Sequence, residues 1–317
     1  MKNPELSIVL PVYNAEKFVF QAIQSLLNQT FKDFELIVVD DCSTDRSLEI
    51  VKKIADDRIK ILTNAENKGI VFSRNRGLKA IRGTFYAPFD ADDIALPHKF
   101  LKQIDFLKKN PDYSMIGSFA TLIDGAGKPT GKKWRLPASA ARIPSILLFR
   151  NYFVHSSLVI RKSAMPPEGY AEGFDRVEDY LLAINISSKY KTFNLPEYLV
   201  KYRVHPQNST SDYQKKVLPQ DAMVYRYLLS QLEIELTSQR LAILCTIKDK
   251  LANQPKPSMK EVQDFLLLFL SQNQKLRIYD QEQLHKEVMN RWIKYFFKHK
   301  VKLFFHSNAP KSILNFV

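Results

Sequence analysis

Cysteine is nearly absent from this chain: Cys42 and Cys245 stand far apart in unlike surroundings. That excludes a disulfide framework and a cysteine zinc site, and it fits a reducing compartment. No apolar run approaches the roughly 18 residues of a membrane span; Phe265 to Leu270 is among the longest. The N-terminus, MKNPELSIVLPVYN, has one lysine and a short apolar run broken by Pro11, so no signal peptide and a cytosolic protein are expected. Glycine-rich phosphate cradles are missing too. There is no GxGxxG after the first strand-like run and no GxxxxGK(S/T) anywhere, which removes the main support for dinucleotide-binding and P-loop folds. Internal repeats and low-complexity tracts are likewise absent.

What remains is an ordinary globular composition with an unusual charge. The 317 residues are 45% hydrophobic and 25% charged, enough for a full core in one large domain or two. The net charge of +14 suggests a polyanionic partner, whether nucleic acid, an acidic membrane face or a phosphorylated ligand.

Strand and helix patterns alternate four times in the first ninety residues or so. Leu6 to Leu10 reads as a buried strand ended by Pro11, and Asn14 is placed to cap a helix with the stripe Phe18, Ala22, Ile23, Leu26 and Leu27. Phe34 to Val39 is a second strand ending in Asp40 and Asp41, followed by Ser43, Thr44 and Asp45 as helix caps. Arg58 to Leu62 is a third strand, Gly69 to Ile81 a helix bearing Arg74 and Arg76, and Phe85 to Phe89 a fourth strand. Such alternation predicts an α/β layer with a mostly parallel sheet, whose ligands sit off the carboxyl ends of the strands. Tyr13 and Asn14, Asp40 and Asp41, and Asp90 to Asp93 all fall on that edge. It reads as a site.

The fourth strand ends in Asp90-Ala91-Asp92-Asp93. Carboxylates this close repel in apolar surroundings, so the cluster calls for a cation or a solvated loop. Hard oxygen ligands favour Mg²⁺ or Mn²⁺, and a phosphorylated substrate then follows. The structural alternative is that Asp92 or Asp93 caps a helix from about Pro97 to Lys109. Beyond Pro111 the alternation breaks down. Met115 to Leu122 and Ser156 to Ile160 are strand-like, Gly125 to Gly131 is a turn or flap, and Ser139 to Phe149 is helical. Glu178-Asp179 leads into a helix from Tyr180 to Tyr190, and a last strand runs from Tyr198 to Val204. Helical patterns dominate from about Tyr213, with a break near Pro255-Lys256-Pro257.

In this order the segments SIVLPVYNAEKF, FELIVVDDCSTD, NKGIVFSRNRG, FDADD, VEDY and YRVH resemble the inverting family 2 glycosyltransferases of the GT-A fold, over roughly residues 6 to 210. The resemblance implies a GT-A, Rossmann-like mixed sheet flanked by helices in a catalytic domain of residues 1–212, and leaves a mainly helical region at 213–317. It implies that Pro11, Tyr13 and Asn14 pack on a donor nucleotide. By the same likeness Asp41, or else Asp40, binds the base, Arg74 lies near the nucleotide, and Asp90 and Ala91 belong to the donor site. Asp92, with help from Asp93, would contact Mn²⁺ or Mg²⁺, and Asp179 would be the catalytic base. Arg203 and His205 would close over the diphosphate, and Glu178 and His155 would lie on the acceptor side; a satisfied, half-buried histidine is the alternative for His155. After Glu178-Asp179 the helix reads YLLAINIS, where many relatives continue with aromatics and an arginine.

An in-line displacement at an anomeric carbon needs one carboxylate to take the acceptor proton and a means to stabilise the departing nucleoside diphosphate. No second carboxylate is required as nucleophile, unlike a retaining glycosidase. The resemblance implies transfer from a nucleotide-sugar, a UDP-hexose or UDP-N-acetylhexosamine, to a glycan or lipid-linked acceptor in bacterial polysaccharide or lipopolysaccharide synthesis. Rival readings are a non-catalytic sugar-nucleotide-binding module, against which the intact Asp179 speaks, and a nucleic-acid-binding protein, for which no recognisable module is present. In the tail, Arg291, Lys294, Lys298 and Lys302 fall on one helical face and Met289, Ile293, Phe296, Phe297 and Phe304 on another. That pattern suits an anionic membrane, and so a peripheral place on its inner face; packing of the apolar face on the catalytic domain is the alternative.

Overall fold

The computed structural model describes residues 3–136, 140–205, 219–247 and 256–304, side chains at 219–220 and beyond 297 excepted. The boundary expected near residue 212, the helix start at Ser139, Pro255 and the side chains of Lys298, Lys302 and Phe304 lie outside these. The chain divides into two compact units, Met1–Gln214 with Leu218–Val224, and Lys215–Val217 with Tyr225–Val317.

In the first unit, β1 (Leu6–Val12) and β2 (Phe34–Asp40) are buried at every position, as near-continuous apolar runs demand of central parallel strands. They alternate with α1 (Val19–Leu27), α2 (Ser47–Lys52), β3 (Ile59–Thr63), α3 (Ile70–Leu78) and β4 (Phe85–Pro88). The two-residue strand β5 (Ile94–Ala95) precedes α4 (Lys99–Lys109). Then come β6 (Tyr113–Ile123), β7 (Pro129–Trp134), α5 (Ile143–Leu147), β8 (Val159–Arg161), α6 (Glu178–Ser187) and β9 (Lys191–Arg203). One mixed sheet results, in the order β3-β2-β1-β4-β8-β6-β9-β5, with β7 hairpinned onto β6. Strands β1 to β4 are parallel to one another where they pair, β8 runs antiparallel to β4 and β6, and β6 pairs parallel with β9.

Several local expectations shift. Asn14 does not cap α1, which begins at Val19; it sits in the left-handed region at φ 49°, its Oδ1 accepting from Thr44 N at 2.8 Å. Neither Asp92 nor Asp93 caps α4, because β5 intervenes to pair with β9. The strand expected from Ser156 opens instead as a 3-10 turn at His155–Ser157 and becomes extended only at Val159. Glu178 and Asp179 form the first turn of α6 rather than leading into it.

The remaining described elements are helices: α7 (Pro219–Gln231), whose residues to Val224 count with the first unit, then α8 (Ser238–Ile247), α9 (Met259–Leu276) and α10 (Gln281–Phe304) in the second. A capping box closes the start of α9, Ser258 and Glu261 exchanging side-chain and backbone hydrogen bonds. On α10, Leu284, Val288 and Tyr295 are buried, whereas Met289, Ile293 and Phe297 face solvent. Arg291 departs from the expected basic face. It is buried, its guanidinium donating to Glu287 at 2.6 Å one turn back.

Helix α3 lies close on the sheet because Gly77 is buried against β1. A Cβ there would meet Val9 Cγ1 at 2.2 Å and Val39 Cγ2 at 3.3 Å. Gly77→Ala is therefore expected to cost about 1–3 kcal/mol by overpacking, read from the midpoint of chemical denaturation; an unchanged midpoint would contradict this packing.

Candidate active site

The carboxyl ends of β1, β2 and β4 open into a cleft of about 970 Å³, lined also by residues of α6, β7, β9 and the segment before β8. Of the residues anticipated from sequence, Pro11, Tyr13, Asn14, Asp41, Arg74, Asp90, Ala91, Asp92, His155, Glu178, Asp179 and His205 all line it. Asp40, Asp93 and Arg203 do not.

At the β1–β2 edge, Tyr13 is 49% exposed and presents its ring to the opening. Asp41 is buried. Its Oδ1 accepts from Asn64 Nδ2 at 2.6 Å and Lys68 N at 2.9 Å, and its Oδ2 from Gly69 N at 2.8 Å. This carboxylate thereby fixes the loop that opens α3. The neighbouring Asp40 turns away and accepts from Ser43 N at 3.2 Å.

Beneath the centre of the cleft lies Arg74, carried inward by α3. One guanidinium nitrogen donates to Glu178 Oε1 and the other to Asp90 Oδ1 at 2.8 Å, while its plane lies 5.4 Å from the Tyr170 ring centre. Desolvation alone would strip the charge from such a buried cation. The two carboxylates outweigh it, and the guanidinium stays charged. By the same exchange burial would raise the Asp90 carboxyl, yet Arg74 and His155 hold it far below the usual carboxylate range. Asp90 Oδ2 also accepts from Ser156 Oγ at 3.2 Å. His155 Nε2 meets Tyr170 Oη at 2.8 Å, which meets Tyr86 Oη at 3.0 Å. Burial and the Arg74 charge push the imidazole down, so His155 is neutral near pH 7. His155 is thus buried and hydrogen-bonded, although its Nδ1 makes no hydrogen bond. Arg74, Asp90 and Glu178 were expected at the ligand; their charges face one another instead.

The three aspartates of the DADD segment have three fates. Asp90 is the ion just described. Asp92 is half-buried, with Oδ2 3.0 Å from His205 Nε2. Asp93 points inward, where its Oδ1 accepts from Arg203 N at 2.9 Å. Burial, Asp92 and Asp90 together raise its carboxyl well above the usual range. Asp93 therefore has no direct access to an ion in the cleft, contrary to expectation.

Arg203 also departs from expectation. Its side chain is 2% exposed and acts as a clasp: Nε donates to Asp92 O at 2.7 Å, one terminal nitrogen to Gln21 Oε1 at 2.6 Å, the other to Asp124 O and Gly125 O at 3.3 Å. Its guanidinium carbon lies 4.9 Å from the Phe18 ring centre. It holds the DADD loop and the β6–β7 turn in place rather than reaching a diphosphate.

As to a metal, no group of three His, Cys, Asp or Glu side chains converges among the described residues. The Asp92 oxygen and His205 nitrogen are two hard-to-borderline donors, both at the cleft. That donor set fits Mn²⁺ or Mg²⁺ provided a ligand's phosphates and water complete the coordination.

Asp179 stands on the cleft wall at the start of α6. Its Oδ2 accepts from Asn151 Nδ2 at 2.9 Å and its Oδ1 from Tyr180 N at 2.7 Å. Burial, then the adjacent Glu178 charge, push its carboxyl up to about 7. An ionised carboxylate with that affinity for a proton is suited to general-base work. Sequence reasoning missed Asn151, Tyr152, Trp134, Leu136 and Tyr202, which build the wall beside it. Only Trp134 carried a signal, as one of two tryptophans and next to the expected flap.

Comparisons with known proteins agree with this geometry. The profile of the family described as Glycosyl transferase family 2 matches residues 7–165. The chain is 32% identical over 216 residues to the O-antigen biosynthesis glycosyltransferase WbnJ of Escherichia coli, covering 64% of this chain and 81% of that one. Over 114 residues it is 41% identical to the E. coli UDP-Glc:alpha-D-GlcNAc-diphosphoundecaprenol beta-1,3-glucosyltransferase WfgD, 36% of this chain and 45% of that one. Among solved structures, Staphylococcus aureus TarS 1–349 in complex with UDP-GlcNAc superposes with a TM-score of 0.61 at 21% identity, over 94% of this chain and 92% of that one. The mixed sheet with flanking helices is the GT-A fold.

Arg74→Met would leave the buried Glu178 and the half-buried Asp90 carboxylates facing each other without a cation. A loss of about 3–5 kcal/mol in stability is expected, measured by urea unfolding; a loss below 1 kcal/mol would mean the pair behaves as a surface salt bridge.

Proposed function

The chain belongs to glycosyl transferase family 2, and on that footing we propose that it is an inverting enzyme. It moves a hexose or N-acetylhexosamine from a UDP-sugar to a hydroxyl of a glycan or lipid-linked acceptor in bacterial surface-polysaccharide synthesis. The observation that carries the reading is Asp179, a carboxylate poised near pH 7 on the wall of a cleft whose other side is the β1–β2 strand edge. The UDP-GlcNAc bound by TarS and the UDP-Glc in the name of WfgD support the donor class. The O-antigen role in the name of WbnJ supports the pathway class.

Tyr13 and the Asp41 loop receive the nucleotide in this reading, with the sugar directed over the Arg74–Asp90 floor. Asp179, held by Asn151, takes the proton of the acceptor hydroxyl as its oxygen bonds to the anomeric carbon. The bond from that carbon to the diphosphate oxygen breaks on the opposite face, so configuration inverts. Asp92 and His205 would hold a divalent ion, which when bound offsets the charge of the leaving diphosphate. Attachment to the inner membrane face is supported by exposed Met289, Ile293 and Phe297 on α10, and by five Lys with no acid between Trp292 and Val317. Full-length protein is expected to sediment with anionic vesicles and not with neutral ones; no difference between them would remove this part of the reading.

The test is a donor screen with UDP-, GDP- and dTDP-sugars, with and without Mn²⁺. Turnover of one UDP-sugar is expected to rise with pH to a plateau, with its midpoint near the Asp179 value of about 7, because only the ionised carboxylate accepts a proton. Asp179→Asn should lower turnover by roughly 10²–10⁴-fold and leave calorimetric UDP binding intact. Absence of UDP binding by the wild type in Mn²⁺ would overturn the donor assignment.

A further inference from the structure

The cleft has a second wall whose chemistry differs from that of the nucleotide edge. Trp134, at the end of β7, and Tyr202, near the end of β9, lie with ring centres 4.7 Å apart and planes tilted by 39°. Both are half-buried and both line the cleft, together with Leu136. Ala120, Val154 and Val200 form an apolar backing behind them. In the sheet order this wall belongs to the β6–β9 side, while Tyr13 and Asp41 belong to β1 and β2; β4, with Asp90 after it, lies between. Asp179 is tied through Asn151 to the segment that leads into Val154.

Charge is distributed just as unevenly. From Gly125 to Arg150 the chain has six Lys or Arg and no Asp or Glu. Lys132, Lys133, Arg135 and Arg150 are exposed. Some surface lysines of the first unit find carboxylates, as Lys108 does with Glu5 and Lys191 with Asp112. These four instead lean on aromatic rings where they have partners at all. Lys133 lies 5.3 Å from the Tyr198 ring centre, Arg135 Nε donates to Tyr198 Oη at 2.8 Å, and Arg150 lies 4.7 Å from the Tyr152 ring centre. Among the described residues no carboxylate pairs with any of the four.

We infer that the Trp134–Tyr202 wall is the acceptor subsite, and that its acceptor is a sugar ring carrying a phosphate or diphosphate ester. The inference rests on the family 2 reading for the role of Asp179. A pyranose has an apolar C–H face that stacks on aromatic rings, and the ring pair is open to the cleft beside the base. An ester phosphate on that sugar would meet Arg150, which lines the cleft and has no carboxylate partner among the described residues. A bare anionic membrane would satisfy the cations and leave the ring pair inside the cleft without an occupant.

The chain has two tryptophans, Trp134 and Trp292, so Trp292→Phe leaves Trp134 as the sole indole reporter. Its emission would be titrated with methyl N-acetylglucosaminide, N-acetylglucosamine 1-phosphate, a short-chain lipid diphosphate of N-acetylglucosamine, and anionic vesicles. The sugar is chosen to match the acceptor in the name of WfgD. The two phosphorylated sugars are expected to saturate the signal at concentrations at least about tenfold below the neutral glycoside, an advantage lost in Arg150→Gln. A response to the lipid diphosphate alone would identify a lipid-linked source; equal responses would identify the sugar phosphate itself. Trp134→Ala should raise the acceptor KM while UDP binding by calorimetry stays as in the wild type. Equal affinity for neutral and phosphorylated sugars, a Trp134 response to vesicles only, or loss of UDP binding in Trp134→Ala would each overturn the inference. Failure of the wild type to bind UDP would sink the donor reading instead, since the Trp134 titration reads the sugar phosphate without any donor.

Discussion

One buried cation organises this molecule's cleft. Arg74 rises from α3 and is clamped between Asp90, at the end of β4, and Glu178, in the first turn of α6. Those groups are separated in sequence by 16 and 104 residues. Three charged groups cannot be taken out of water singly, because each would carry a desolvation cost of several kcal/mol. Placed together, they offset one another and fix the relative positions of α3, the DADD loop and α6. Tyr170, Tyr86 and His155 continue the same polar network and leave little freedom in the floor.

Asp179, the neighbour of Glu178, is made basic first by burial. The adjacent Glu178 charge, fixed there by its ion pair with Arg74, adds to the effect, and Arg74 itself partly offsets it. Two adjacent carboxylates on one helical turn are thus driven to different tasks, one held in an ion pair and the other poised to accept a proton. The DADD segment follows the same logic. Crowding four backbone positions with three carboxylates is tolerable because one is paired with Arg74, one reaches the cleft beside His205, and the third turns inward to accept from the Arg203 backbone.

The two flanks of the cleft are made by different parts of the topology. The parallel half of the sheet supplies strand ends and the loop around Asp41, whose backbone donors are already ordered before any ligand arrives. The β6–β7 hairpin and β9 supply a ring pair, Trp134 and Tyr202, on the other flank. Arg203 joins the flanks by reaching from β9 to Gln21, Asp92 and the β6–β7 turn at once. A residue expected to meet the ligand is in this way what holds the ligand's surroundings.

The sequence by itself determined the parallel half of the fold, because β1 and β2 are unbroken apolar runs that must be buried on both faces. It also marked the strand-end carboxylates, since polar residues gathered at the ends of apolar strands have few structural reasons to be there; Asp179 was singled out only by the family resemblance. Residue spacing could not say which of those carboxylates would be ionised, paired or protonated, as the cations and oxygens that decide it come from far along the chain. Tertiary structure alone brought Glu178 to Arg74, turned Asp93 and Arg203 inward, and set Trp134 against Tyr202. Ionisation and side-chain direction are decided by burial and by nonlocal partners, and neither is written in a local pattern.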